Sequence, residues 1–266
     1  MPPDAGLMNE RPEDDVNSTV PHQPGSLREA IARRAAFVRE PHPAGVAKPP
    51  LQLMLAELRS LYRGRSKEPA VQPAAHPMPV MLLPGFGSHP RRMKPMADAL
   101  AAAGHHVHEW GLGFNFGPSQ ANFAFLMRRV GAIARQYKAP VALVGWSLGG
   151  LFAREIARRE PDMVAKVVTM GTPFSGDPRA NNAWRAYQVV TGHSVDEPPI
   201  ECDFSVKPPV PTIALWSPRD GIVAPRAACG WPEERDRAVS IRCSHLDFSN
   251  APKVISEVLR QLEVED

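Results

Sequence analysis

Residues 145–149 read Gly-Trp-Ser-Leu-Gly, and Gly150 follows. They join an unbroken apolar run, VALVGW (141–146), to a helical pattern, LFAREIA (151–157). A strand that turns this sharply into a helix holds its central residue in a strained conformation, with the side chain exposed at the sheet edge. Side chains two residues before and two after would strike neighbouring backbone, which accounts for Gly145 and Gly149, while Gly150 lets the helix approach the sheet. The chemistry that needs such a residue is nucleophilic attack. Ser147 at a helix N-terminus fits that role, with the amide of Leu148 aimed where an oxyanion would form. The bland alternative is a serine that caps a helix among packing glycines.

A serine hydroxyl is a weak nucleophile until a base takes its proton, and a carboxylate must orient that base. Asp220 lies in LWSPRDGIV, on a Pro/Gly turn after an apolar run, and His245 lies in VSIRCSHLDF, just past the next such run. Each falls at a C-terminal strand end, where open α/β sheets place their sites. Asp220 as a mere turn residue stays open. Asp247 is a competing carboxylate, but at two residues from His245 it would have to fold back to orient the ring. The remaining histidines fall at the start of or within a strand (His105, His106, His108), in a loop-rich interval (His193), or in loops and linker. A second oxyanion donor is the amide of Phe86 in VMLLPGFGSH, the alternative being an ordinary glycine turn.

The elements that must hold these residues follow from apolar periodicity. PVMLLPG, HHVHEW, VALVGW, AKVVTMG, PTIALWS and AVSIRC read as short strands separated by helical stretches, the clearest being SQANFAFLMRRVGAIARQY. A last helix starts at Pro252. This alternation predicts an α/β fold: a small, mostly parallel sheet of about six strands with helices on both faces. Residues 172–209 break the alternation with a Gly/Pro/Asn-rich entry, a short helix over 183–190 and a loop, and read as a cap-like insertion over the strand ends. Before the α/β unit at 79–266, residues 1–25 are expected to be disordered, 26–64 to form a helical segment and 65–78 a Pro-rich connector. In the helical segment Leu27, Ala30, Ile31, Ala35 and Val38 form one apolar stripe; Leu51, Met54, Leu55, Leu58, Leu61 and Tyr62 form another, closed by Gly64.

The chain has 266 residues, a formal net charge of +3 and 43% hydrophobic residues, enough for one large domain plus a small accessory region. The basic residues are scattered, which argues against a nucleic-acid partner. No run is long and apolar enough for a transmembrane segment, and the acidic, proline-containing start predicts no secretory signal. Peripheral membrane contact through residues 26–64 is the membrane alternative, against packing on the core. Three cysteines at no metal-like spacing suit a reducing, cytoplasmic setting, with a Cys229–Cys243 bridge left open. No metal-ligand cluster and no cofactor motif is read.

The set LLPGFG, GWSLGG, SPRDGIV and CSHLDF resembles the serine-dependent α/β-hydrolase superfamily, among its bacterial esterase- and lipase-like members. The resemblance covers residues 79–264. It implies Ser147 as nucleophile, His245 as base, Asp220 as acid, and the Phe86 and Leu148 amides as the oxyanion hole. GLGFNFGP (111–118) and MGTPFSGDPRANN (170–182) resemble active-site loops of related hydrolases. One departure is Pro84-Gly85, where many lipases carry His-Gly; the backbone donor remains. The expected activity is cleavage of a small-molecule or lipid carboxylic ester through an acyl-enzyme. Trp146, Phe174, Trp184 and Leu246, with Phe86, form the candidate acyl pocket. The same triad supports an acyltransferase or thioesterase, and a non-enzymatic binding protein on a hydrolase fold is the third reading.

Overall fold

Six short apolar segments pair side by side: β1 (Pro79–Leu83), β2 (His106–Glu109), β3 (Val141–Trp146), β4 (Val164–Met170), β5 (Thr212–Trp216) and β6 (Arg237–Ser240). They form one sheet in the order β2-β1-β3-β4-β5-β6, parallel throughout. The computed structural model describes residues 26–60 and 71–264. The expectations for residues 1–25, for Leu61, Tyr62 and Gly64, and for the first part of the connector lie outside them.

Eight helices accompany the sheet among the described residues: α1 (Leu27–Arg39), α2 (Leu51–Ser60), α3 (Lys94–Ala102), α4 (Gln120–Tyr137), α5 (Leu148–Arg159), α6 (Trp184–Thr191), α7 (Pro225–Cys229) and α8 (Pro252–Glu263). Strand parity sorts the core into two layers. Val80, Leu82, Ala142 and Val144 face α3 and α8, packing on Met96, Leu100, Val254 and Val258. Met81, Leu83, Val141 and Leu143 face α4 and α5, packing on Leu126, Val130, Phe152 and Ile156. Burial on both faces is why β1 and β3 read as continuous apolar runs rather than alternating ones. Helix α4 starts where the Ser119 side chain accepts the amide of Asn122 and ends at Lys138 in the left-handed region, φ 52°.

The chain runs from β1 to one edge of the sheet and returns to place β3 on the other side of β1. The crevice between the ends of β1 and β3 is therefore a topological switch point, the position where open α/β sheets build their sites.

The N-terminal helices turn unexpected faces inward. In α1, Leu27, Ile31 and Val38 are exposed, while Ala30, Arg34 and Phe37 are half-buried. Arg34 Nε donates to the Val189 carbonyl of α6 at 3.0 Å, which fixes that rotation. In α2, Leu51 and Leu55 of the expected stripe are exposed, and Glu57 is buried instead. Cys202, Cys229 and Cys243 are all free, so the Cys229–Cys243 bridge is not formed.

Candidate active site

Ser147 occupies the turn between β3 and α5 with φ 53° and ψ −121°. A non-glycine residue in that region carries strain on the order of 1–3 kcal/mol, and the surroundings must enforce it. They do so from three sides. A Cβ on Gly145 would lie 2.5 Å from the Gly149 carbonyl oxygen, one on Gly149 would lie 2.2 Å from the Leu83 oxygen, and one on Gly150 would lie 2.0 Å from Thr172 Oγ1. The Ser147 amide donates to the Met170 carbonyl at 2.8 Å, tying the turn to the end of β4. Helix α5 begins at Leu148, so its first amides and the positive end of its dipole face the same space.

Asp220 and His245 are brought together. Asp220 Oδ2 lies 2.8 Å from His245 Nδ1, and the residues are 1% and 4% exposed. The other carboxylate oxygen, Oδ1, accepts the amides of Ile222 at 2.8 Å and Val223 at 2.7 Å. The Asp220 carboxylate is thus fixed by its own turn, and its other oxygen faces His245. Because a carboxylate accepts, Nδ1 carries the proton and Nε2 is the basic nitrogen. Trp146 Nε1 donates to the His245 carbonyl at 3.1 Å, which sets the histidine beside the serine turn. Asp247 turns away: its Oδ2 accepts the amide of Ser244 at 3.3 Å.

The loop after β1 closes the third side. A Cβ on Gly85 would come within 3.3 Å of Ser147 Cβ, so this loop runs against the serine. Phe86 and Leu148 both line the space in front of Ser147. Asn115, fully buried, braces the loop with its whole backbone and side chain. Its carbonyl accepts the Gly87 amide at 2.7 Å, its amide donates to the Ser88 carbonyl at 3.0 Å, and its Nδ2 donates to the Pro84 carbonyl at 2.7 Å.

Ser147 opens into a cavity of about 420 Å³. Phe86, Leu151, Phe174, Trp184, Tyr187 and Phe204 line it, most of them from the 172–209 insertion. Two residues of the expected pocket stand elsewhere. Trp146 continues the Val144 side of β3 and packs with the α3/α8 layer, and Leu246 packs against the same layer. Strand parity sends Trp146 to the far side of the sheet from the cavity, and Leu246, in the short helical turn after His245, joins it there. Burial pushes the Tyr187 hydroxyl up to about 12 and the Cys202 thiol, also on the cavity wall, up to about 11. Among the described residues no group of three His, Cys, Asp or Glu side chains is placed to hold a metal ion.

Residues 80–258 match the model of the alpha/beta hydrolase family. The chain belongs to the alpha/beta hydrolase family. Solved structures of similar fold include the product of gene lin2722 of Listeria innocua, at 18% identity and a TM-score of 0.51, covering 72% of this chain and 96% of that one. Carboxylesterase CesB of Bacillus subtilis is similar at 15% identity and a TM-score of 0.50, covering 80% and 97%. At these identities the likeness is one of fold. No curated protein sequence matches this chain.

Three residues of this hydrolase shape the site without any local motif announcing them. Asn115 is one: the 111–118 segment resembles an active-site loop, but nothing local marks its buried side-chain amide. Arg154 is another: buried on α5, its guanidinium donates to the carbonyls of Phe204 at 2.9 Å, Val206 at 3.2 Å and Glu234 at 3.0 Å, and sits 4.1 Å over the Phe174 ring. Burial lowers its pKa to about 10. The third is Glu57, the buried carboxylate of α2, which meets both the Asp220 and His245 loops.

Proposed function

We propose that the protein is a serine hydrolase that cleaves carboxylic esters through an acyl-enzyme on Ser147. The observation that carries this reading is the buried Asp220–His245 pair, 2.8 Å apart, beside the strained serine turn. His245 Nε2 takes the Ser147 proton as Oγ attacks the ester carbonyl carbon. The negative charge that develops on the carbonyl oxygen is held by the Phe86 and Leu148 amides, which act where the charge appears and need no reorganisation. Collapse breaks the bond to the alcohol oxygen, which leaves with the proton held by His245. Water then repeats the sequence and frees the acid. The aromatic and aliphatic walls of the cavity suit an apolar acyl group on a small-molecule or lipid ester.

A fluorophosphonate tests the reading, because it places a tetrahedral oxyanion where the two amides converge. One adduct is expected, at Ser147 by peptide mapping. Ser147→Ala abolishes it and lowers ester turnover at least ~10³-fold, since the covalent route is lost while binding remains. Folded wild-type protein that does not react would overturn the assignment; an adduct on another serine would move the site.

Peripheral contact with an anionic lipid surface belongs to the same reading. Helix α1 presents Leu27, Ile31 and Val38 to solvent at 77%, 60% and 60% exposure, beside Arg28 and Arg39. Phe114 and Phe116, stacked 5.6 Å apart and exposed, sit on the loop that braces residues 84–88. An apolar stripe edged by arginines is the pattern of a helix that lies in a membrane interface. Three free cysteines favour a reducing, cytoplasmic setting.

A further inference from the structure

Helix α2 lies outside the part of the chain that matches the hydrolase family, yet it reaches the centre of the site. Glu57 is 2% exposed. Its Oε1 accepts the Gly221 amide at 2.9 Å and the His245 amide at 2.6 Å, and its Oε2 accepts the Leu246 amide at 3.0 Å. Gly221 directly follows Asp220. One carboxylate therefore gathers main-chain donors from the loops after β5 and β6, the two that carry the acid and the base. The backbone of α2 lies equally close: a Cβ on Gly221 would fall 2.4 Å from the carbonyl carbon of Leu53.

Nearer the strands the two loops are joined by Ser217, whose Oγ accepts the Cys243 amide at 3.1 Å and donates to the Cys243 carbonyl at 2.5 Å. Asp220 is held by amides of its own turn, and His245 touches it through the ring alone. Glu57 adds a second tie, at the level of Asp220 and His245 themselves, and with Trp146 on the His245 carbonyl it holds the histidine backbone from both ends. Charge-assisted bonds to a carboxylate are shorter and stronger than neutral ones, and a buried carboxylate that keeps three of them has its position fixed. Catalysis by a triad depends on tolerances of about half an ångström.

We infer that Glu57 is a positioning residue for the Asp220–His245 pair, and that α2 is through it a working part of the active site. The inference rests on the serine-hydrolase reading above. Glu57 touches no reacting atom; it acts on where His245 stands.

Glu57→Gln is the direct test, because it keeps the volume but sets an amide NH₂ against a main-chain N–H. The expected result is a kcat for ester hydrolysis lowered about 10- to 100-fold, the scale of a misplacement near 1 Å. KM should hold, since the cavity wall is untouched, and phosphonate labelling of Ser147 should slow in parallel. The low-field imidazole proton resonance of the His245–Asp220 bond should broaden or move. Glu57→Asp, which keeps the charge, should recover part of the rate, and Leu55→Ala, on the exposed side of the same helix, should match wild type. Should Glu57→Gln not fold, Glu57→Asp and Gly221→Ala carry the test from the two sides of the same contact. Wild-type kcat and an unmoved resonance in Glu57→Gln, with only melting temperature lowered, would overturn the inference and leave a structural tie. So would failure of all three variants to fold, which would make α2 a folding element. A wild-type protein that keeps the low-field resonance but resists the phosphonate would instead remove the hydrolase reading.

Discussion

Asp220 Oδ2 stands 2.8 Å from His245 Nδ1, while Asp247, only two residues from the same histidine, faces the Ser244 amide. The nearer carboxylate in sequence is the wrong one in space. Asp220→Asn should preserve folding but present an N–H to Nδ1, favouring the tautomer that cannot accept the serine proton, and kcat should fall by up to ~10⁴-fold. Asp247→Asn should change kcat less than about 5-fold, the cost of loosening a side-chain bond to a loop amide. Steady-state kinetics on one ester, with circular dichroism as the folding check, decides it. Reversed effects would exchange the roles.

The donor attributed to Phe86 is its main-chain amide, whereas its side chain lies on the cavity wall, 5.6 Å from the Tyr187 ring. Phe86→Ala should therefore leave kcat on a short acyl ester within a few-fold and shift preference toward longer or bulkier acyl groups. A series of p-nitrophenyl esters of increasing chain length measures it. A uniform loss of kcat across the series would mean that the loop itself had moved.

Two glycines give opposite expectations for stability. A Cβ at Gly149 would lie 2.2 Å from the Leu83 carbonyl oxygen, backbone that cannot yield without moving β1, so Gly149→Ala should destabilise by at least about 1–3 kcal/mol. Gly131, inside α4, would meet nothing nearer than Arg135 Nη1 at 3.2 Å, the end of a flexible side chain. Gly131→Ala should stabilise by about 0.5–1 kcal/mol. Urea unfolding of the two variants beside wild type reads both signs.

Cys202 lines the cavity with its thiol pushed up to about 11 by burial, and the thiolate is the reactive form. Below that value each unit of pH adds about tenfold thiolate. Iodoacetamide labelling of Cys202 should thus be slow at pH 7, climb about tenfold per unit from pH 8 to 10, and fall once a bulky phosphonate occupies Ser147. Fast labelling at neutral pH, mapped by mass spectrometry, would contradict the buried setting.

Helix α1 supplies a membrane prediction. The protein should co-sediment with phosphatidylserine vesicles, less so at high salt, and Ile31→Glu should release it. Vesicle binding unaffected by Ile31→Glu would remove α1 from the contact; no binding by wild type would remove the contact itself.

Much of the site could be read from the sequence because its determinants are local. The Ser147 turn needs only a strand, a helix and glycines within five residues, and Asp220 and His245 each follow a strand by a few residues. The parity of β3 was legible too: Trp146 shares a face with Ala142 and Val144, and that alone excludes it from a cavity on the opposite side. Glu57 and Arg154 were not legible. Glu57 meets partners 164 and 188 residues away, and an apolar stripe in α2 points to a different rotation from the one its three amide bonds impose. Arg154 looks like an ordinary arginine among the exposed ones of α5 until the far loop arrives to supply carbonyls.

The hydrogen bonds of Arg154 go to main-chain oxygens of residues 204–206 and 234, and they start from the helix that follows directly on Ser147. An anchor that grips backbone is indifferent to which side chains that backbone displays. The Arg154 attachment of the cavity's far wall, Asp203 to Ser205, to the serine helix therefore does not depend on the side chains that wall carries. Under the proposed function, such a wall is the place for drift and for directed libraries that should change acyl preference while Ser147 and His245 stay in register.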